Sequence, residues 1–317
     1  MTGSLAGTDG PATEDSSPTY DELMKIGVQL PEVERHYPWS EIRQIALTAE
    51  ECGFDSIWIG DHLLYRDPKD GSRGPWEAWS MLAALAEATD RVQLGPLVAA
   101  TSFHSPAMIA KKAATVDEIS GGRLVLGLGA GWNKTEYDAF GFAYDNRVAR
   151  FQEALTIIHT LIREGSIDYE GRFYTMRRME LLPRARPDLQ LMIGSNGPKV
   201  LQIAAPLVDM WNTWHVWFDN DPSALPPLIE RLEAACRNVG RDPSDIAKTA
   251  AVYLQLARGE GRPAGSSDRP EVRPIPVERA ANALDELREH GIDHVQLVLD
   301  PIDSRAVEEL AGILALD

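Results

Sequence analysis

Asp61 and His62 close the apolar run SIWIG (56–60). An acid beside an imidazole is able to hold and pass a proton near neutral pH. A strand ending on this pair delivers both side chains to a loop. Neighbours on an extended chain point opposite ways, which leaves one of the two to line a pocket and the other to anchor the loop. A second stretch, GSNGPK (194–199), runs from a strand into a helix start, where free N–H groups and the helix dipole favour an anion. Its plainer reading is a tight turn with Asn196 at positive φ. GLGAG (127–131) is a weaker phosphate signal, because glycines also let backbone pass closely. The run WNTWHVW sets Trp211, Trp214 and Trp217 near one strand end, either as a wall for a ring-shaped ligand or as packing under the next loop. Lys111 and Lys112 read as solvated helix surface. The histidines are scattered, and Cys52 and Cys236 have no ligand spacing, so no metal site is expected.

The elements that must position these residues alternate along the chain. KIGVQLP (25–31), FDSIWIGDH, RVQLGPLVAAT, RLVLGLGAG, LQLMIG, VDMWNTW, IAKTAAVYLQLAR and DHVQLVL read as strands, with amphipathic helices between and after them. One helix is expected to start at Ser105-Pro106, with Ser105 as its cap, and a long one to span about 146–164 after an irregular stretch. SIDYEGRFYTM (166–176) predicts a hairpin turning at Glu170-Gly171, and 166–183 lies outside the repeat. About eight βα units predict a closed parallel (β/α)8 barrel. The competing doubly wound sheet needs a glycine-rich fingerprint after its first strand, and IGVQLPEVERHY has none. Barrel chemistry gathers where strands end, here at Gln29, Asp61-His62, Ala100-Thr101, Gly127–Gly131, Gly194–Gly197 and Asn212–Trp214. The Gly/Pro/Ser-rich loop 258–275 is expected to be a lid or an unstructured segment that helps to shape the pocket.

At 317 residues with 44% hydrophobic and 25% charged residues, the composition is that of a soluble globular protein. A formal charge of -17 disfavours nucleic-acid partners while leaving room for one small cationic pocket. No apolar run approaches a membrane span. Residues 1–22 lack the pattern of a signal peptide and read as a flexible tail before a single domain, 23–317. Two cysteines without disulfide-type spacing suit a reducing cytoplasm.

The motifs GFDSIWIGDH, VQLGPLVAATSFHSPAMIAKKAATVDEISGGRLVLGLGAGW, YEGRFY, LMIGSNGPK and VDMWNTW stand in an order that resembles the luciferase-like monooxygenase superfamily. Within it, the chain is similar to the actinobacterial oxidoreductases that use the deazaflavin coenzyme F420. The likeness spans Lys25 to about Trp214, and beyond that only the pattern matches. It implies a TIM barrel with an inserted hairpin and a deazaflavin or flavin across the strand ends, near Gln29, Thr101 and Trp214. It further implies a non-prolyl cis peptide at Leu97-Val98, placed behind the ring. Ser195, Asn196 and Gly197, following Gly194, would meet the phosphate-bearing tail. The Gly129–Tyr137 segment would reach the cofactor, with Thr135 and Tyr137 as its candidates. By the same resemblance His62 is the proton-transferring residue and Asp61 its support, the cofactor supplying a hydride. A homodimer and a separate F420-reducing or flavin-reducing enzyme are the implied partners. Two other readings stay open: an FMN-dependent monooxygenase, and a non-catalytic flavin-binding homologue, which the alanine-rich LVAAT keeps in play.

Overall fold

Strands that are apolar on both faces need cover on both, and a barrel ringed by helices gives it. A computed structural model describes residues 24–67, 71–262 and 272–316. The barrel strands are β1 (Lys25–Gln29), β2 (Ser56–Ile59), β3 (Gln93–Pro96, resumed at Ala99–Ala100), β4 (Val125–Gly129), β5 (Gln190–Gly194), β6 (Met210–Trp214), β7 (Ala247–Gln255) and β8 (His294–Asp300). Each pairs in parallel with its neighbour in chain order, and β8 returns to β1 with His294 opposite Lys25. Closure excludes the open doubly wound sheet. The third strand is broken: its first part pairs with β2, its second with β4, and a bridge from Leu94 to Leu124 spans the gap. The peptide between Leu97 and Val98, at the break, is cis.

The surrounding helices are α1 (Trp39–Glu51), α2 (Ala78–Ala88), α3 (Pro106–Ile119), α4 (Lys134–Phe140), α5 (Arg147–Arg163), α6 (Pro198–Ala204), α7 (Pro226–Asn238), α8 (Ala280–Glu289) and α9 (Ser304–Leu314). Ser105 stands at the cap position of α3, but its hydroxyl makes no capping bond. The stretch read as irregular contains α4, whose first turn is capped by Asn133. The hairpin forms as expected, from Ser166–Glu170 and Thr175–Glu180. Glu153 of α5 fixes its turn by accepting from the backbone N–H groups of Arg172, Phe173 and Tyr174. A short pair, Tyr65–Asp67 with Gly71–Arg73, was not expected. The tail 1–22 and residues 263–271 of the 258–275 loop fall outside the described residues.

Alternation sorts each strand between two cores. Ile57, Leu191, Trp211, Val252 and Leu297 face the helices in the larger apolar layer. Trp58, Val125, Met192, Met210 and Ala251 fill the barrel's interior. Polar side chains inside the barrel bond to one another, with Gln296 Nε2 and His294 Nδ1 left over. Asn212 donates to Thr249 Oγ1 and Gln296 Oε1 at 2.8 and 2.7 Å, and Ser56 Oγ lies 2.6 Å from His294 Nε2. Directional bonds of this kind favour one arrangement where apolar packing alone is tolerant.

Candidate active site

The strand ends open into a cavity of about 570 Å³, a size suited to a cofactor and a small substrate. Of the residues singled out in the sequence, Gln29, Asp61, His62, Leu97, Val98 and Gly129 line it. So do Gly194, Ser195, Asn196 and Trp214. Thr101, Thr135, Tyr137 and Gly197 are not part of its wall, and each has a local reason. Thr101 is buried and its hydroxyl donates to the Gly129 carbonyl at 3.1 Å. Tyr137 turns away into a cluster with Phe103 and Phe142, its hydroxyl donating to the Ala130 carbonyl. Thr135 sits in the capped first turn of α4, its N–H donating to Asn133 Oδ1. The Gly197 N–H donates back to Ser195 Oγ at 3.3 Å, and Gly197 serves as the N-cap of α6.

The partner of His62 is not Asp61. His62 Nδ1 lies 3.0 Å from Oε2 of Glu136, a wholly buried carboxylate on α4. Glu136 also accepts from the backbone N–H of Leu63 and Leu64, so one side chain holds the whole 62–64 turn. An ionised carboxylate only accepts, so His62 donates through Nδ1 and presents Nε2 to the cavity side. There Glu32 Oε1 stands 3.8 Å away. Burial alone would push His62 down, but the charges of Glu32 and Glu136, with Asp61 nearby, outweigh it and hold the ring above the usual histidine range. Tyr65 and Trp132 flank the ring at centroid distances of 4.8 and 5.6 Å.

Asp61 anchors, as one member of the pair had to. Its Oδ2 accepts from the Ala100 backbone N–H at 2.9 Å and pairs with His104 Nε2 at 3.1 Å. Behind His104, Lys112 Nζ reaches Nδ1 at 3.3 Å. Lys112 is therefore half-buried in this chain of contacts rather than solvated surface, a correction to the sequence reading. Asp61 thus ties the end of β2 to the resumed part of β3.

Glu32 was missed altogether. It accepts from Gln29 Nε2 and the Tyr65 hydroxyl, both at 3.0 Å, and pairs with Arg262 at 3.3 Å. Arg262 is held more closely by Glu34, at 2.7 Å. No motif marks these residues, because the two glutamates and the arginine lie 228 positions apart or more and meet only when β8 closes on β1.

The glycines of GLGAG have a packing role. A Cβ on Gly127 would fall 2.2 Å from the Pro96 carbonyl and 2.9 Å from Val98 Cγ1. On Gly129 it would fall 2.7 Å from Val98 Cγ2, and on Gly194 2.8 Å from Val98 Cγ1. These residues clear the space that Val98 occupies beside the cis bond, at the cavity floor. The tryptophans divide. Trp211 faces the helices and donates to the Ser195 carbonyl at 2.8 Å, fixing that turn, whereas Trp214 and Trp217 line the cavity.

Buried acceptors without donors mark where a ligand belongs. Gln29, Asp61 and Asn196 line this cavity, and their buried Oε1, Oδ1 and Oδ1 atoms have no hydrogen-bond partner among the described residues. The pyrimidine edge of a flavin or deazaflavin carries an N–H that suits such an acceptor, so these residues fit a ring of this kind.

The luciferase-like monooxygenase family model matches residues 22–262. An F420-dependent glucose-6-phosphate dehydrogenase of Amycolatopsis mediterranei is 32% identical over 246 residues, 74% of this chain and 70% of that protein. A pyrimidine monooxygenase, RutA of Rhizobium rhizogenes, is 30% identical over 213 residues, 64% of this chain and 57% of its own length. The fold is shared with a solved F420-dependent secondary alcohol dehydrogenase, with TM-score 0.78 at 20% identity over 92% of this chain and 98% of that one. The family match runs through β7 to Arg262, beyond the stretch over which the motifs alone carry the likeness. This chain belongs to the luciferase-like monooxygenase family.

Proposed function

We propose that the protein is an F420-dependent oxidoreductase, exchanging a hydride between coenzyme F420 and a small organic substrate, with His62 as the general acid/base. The observation that carries this reading is the Glu136–His62 pair at the cavity wall, an imidazole oriented by one buried carboxylate and charged by a second. When bound, the deazaflavin supplies hydride chemistry that an unaided protein lacks. The chain's own residues do the rest. His62 holds a proton at Nε2 for the substrate oxygen, or takes it back in the reverse direction. Glu136 keeps the ring in one tautomer, and Asp61 keeps the strand end in place. Gln29 would accept from the ring's donors, Val98 would support the ring from below, and the turn at Ser195–Gly197 would hold the phosphate. The F420-dependent relative favours this cofactor.

A second reading, an FMN-dependent monooxygenase on the same barrel, is favoured by the monooxygenase relative. Titration of the protein with F420 and with FMN separates the two. F420 is expected to bind more tightly. FMN binding in the micromolar range without measurable F420 binding would overturn the proposal. A substrate screen with the preferred cofactor then tests the third reading, since a non-catalytic homologue binds and turns over nothing. The proposal includes a homodimer and, for turnover, a separate enzyme that reduces the cofactor. Among the described residues no helix is long and apolar enough to cross a membrane.

A further inference from the structure

We infer that the substrate is an uncharged, ring-bearing compound with a carbonyl or hydroxyl oxygen as its one polar function, and not a phosphate ester or a carboxylate. This rests on the oxidoreductase reading of the same cavity and adds the class of molecule it takes.

The charges on the cavity wall are unbalanced. Glu32, Asp61 and Glu136 all line it. Among the described residues, Arg262 is the one Lys or Arg that does so. Its guanidinium is already matched, Nε to Glu34 at 2.7 Å and Nη2 to Glu32 at 3.3 Å. Its backbone N–H is bound as well, donating to the Tyr253 hydroxyl at 2.8 Å. Away from the Ser195–Gly197 turn, which the cofactor's phosphate would fill, an anionic substrate would have to displace a carboxylate from Arg262 while facing the others, in a wall where like charges repel strongly. His62, already paired with one carboxylate and beside another, offers an anion no unmatched charge.

A cation gains little more: Asp61 Oδ1 has no donor, but its side chain is buried below the cavity surface. Glu32 Oε1 already accepts from Tyr65, and Oε2 from Gln29 and Arg262. Glu136 is spent on His62 and the 63–64 backbone. Other polar side chains of the wall are bound to neighbours, Tyr253 and Gln255 to Asp300 and Asn212 to Thr249 and Gln296, and the surface left for a substrate includes the apolar Trp214, Trp217, Val33, Val272 and Pro274. Trp217 lines the cavity yet is 57% exposed, an aromatic face turned to solvent at the mouth. Burying such a face against a flat ring is favourable, and the gain is lost for a substrate that keeps its hydration. The polar end then meets His62 Nε2.

The test uses three probes of equal ring size: acetophenone, benzoate and phenyl phosphate. Quenching of the protein's tryptophan fluorescence reads their binding to the wild-type protein, first alone and then with F420 present. Acetophenone is expected to bind about tenfold or more tightly than either anion, a ratio equal to one decade of dissociation constant. Anions that bind as well as or better than acetophenone overturn the inference, as does the absence of saturable acetophenone binding. A Glu34→Gln variant removes one of the two carboxylates matched to Arg262 and is expected to improve phenyl phosphate binding several-fold while leaving acetophenone unchanged. If the anion gains nothing, the matched arginine is not what excludes it. The ranking against the anions is judged with F420 present, its phosphate filling the Ser195–Gly197 turn, while a failure to bind F420 would remove the cofactor reading and leave the cofactor-free acetophenone and Glu34→Gln results standing.

Discussion

His62 and Glu136, 74 positions apart in sequence, meet at 3.0 Å between Nδ1 and Oε2, and the same carboxylate holds the backbone of the next two residues. The imidazole is therefore oriented from α4 rather than from the aspartate beside it. Replacing His62 by Ala is expected to slow turnover by about 10²–10⁴-fold, the usual worth of a positioned proton donor. Cofactor affinity, measured on the same variant, should change far less, since one side chain is a small part of a large contact. Retained turnover with collapsed binding would make His62 a ligand-holder instead.

Glu136→Gln removes one of the charges that outweigh burial and raise the proton affinity of His62. His62 should then lose its proton at lower pH. A step that needs the imidazolium is active below the histidine's pKa, so its alkaline limb should move to lower pH in the variant. The pH dependence of kcat/KM checks this. An unshifted limb, with turnover merely reduced, would show that Glu136 only braces the 62–64 turn.

Asn196→Asp tests the phosphate placement. Asn196 is buried, with Nδ2 donating to Thr213 Oγ1 at 3.0 Å. A carboxylate there keeps a partner, because the threonine hydroxyl rotates to donate. Repulsion of a phosphate should weaken cofactor binding on the order of tenfold, as for one lost charge-assisted hydrogen bond. If Oδ1 instead meets a ring N–H, the carboxylate accepts equally well and affinity holds. Unchanged affinity would remove phosphate from this turn.

The barrel was legible because short continuous apolar runs and amphipathic helices alternate across the whole chain, and closure follows from their number. The rule that chemistry gathers at strand ends then pointed to Gln29, Asp61, His62, Gly194 and Asn196, all of which line the cavity. What stayed hidden depends on tertiary contact. Glu136 lies between Thr135 and Tyr137, yet on so short a helix no apolar period announces which residue faces inward. Neighbours on a helix diverge by about 100°, which sends Tyr137 into the Phe103 cluster and Glu136 to His62. Parity held an unused clue in β6: Trp211 and Trp214 are an odd number of residues apart, so they could not share one face. The Glu32–Arg262–Glu34 group joins opposite ends of the chain and leaves no local mark.

Gly194→Ala tests the clearance around Val98. The new Cβ would stand 2.8 Å from Val98 Cγ1 and 3.0 Å from Cγ2. Overpacking of this kind typically costs about 1–3 kcal/mol. Both stability and cofactor affinity should fall, because Val98 is pushed towards the cavity it lines. Val98→Ala in the same chain removes the contacted methyls and should restore most of the loss. Chemical denaturation of the single and double variants measures the coupling. Additive effects would mean that Gly194 is needed for something other than Val98.

His294 gives the barrel its own dependence on pH, at the end away from the cavity. It is buried at the start of β8, with Nε2 2.6 Å from Ser56 Oγ and its ring edge-on to Trp58. Burial, with the charge of Lys25 adding to it, lowers its pKa from 6.5 to about 3. The native fold thus holds the neutral ring, while the unfolded chain takes up a proton near pH 6.5. Between those two values the unfolded state binds more protons, so stability rises with pH there. The contribution is complete above about pH 6.5, declines as pH falls, and is fully lost below about 3. Denaturant midpoints measured from pH 7.5 down to pH 4 should therefore fall steadily. A His294→Gln variant keeps an amide for Ser56 but cannot take up a proton. It should be less stable at pH 7.5 through imperfect packing, and its stability should fall less steeply with acid. Equal slopes for the two proteins would mean that the acid sensitivity arises from other groups, the buried carboxylates of the cavity being the next to test.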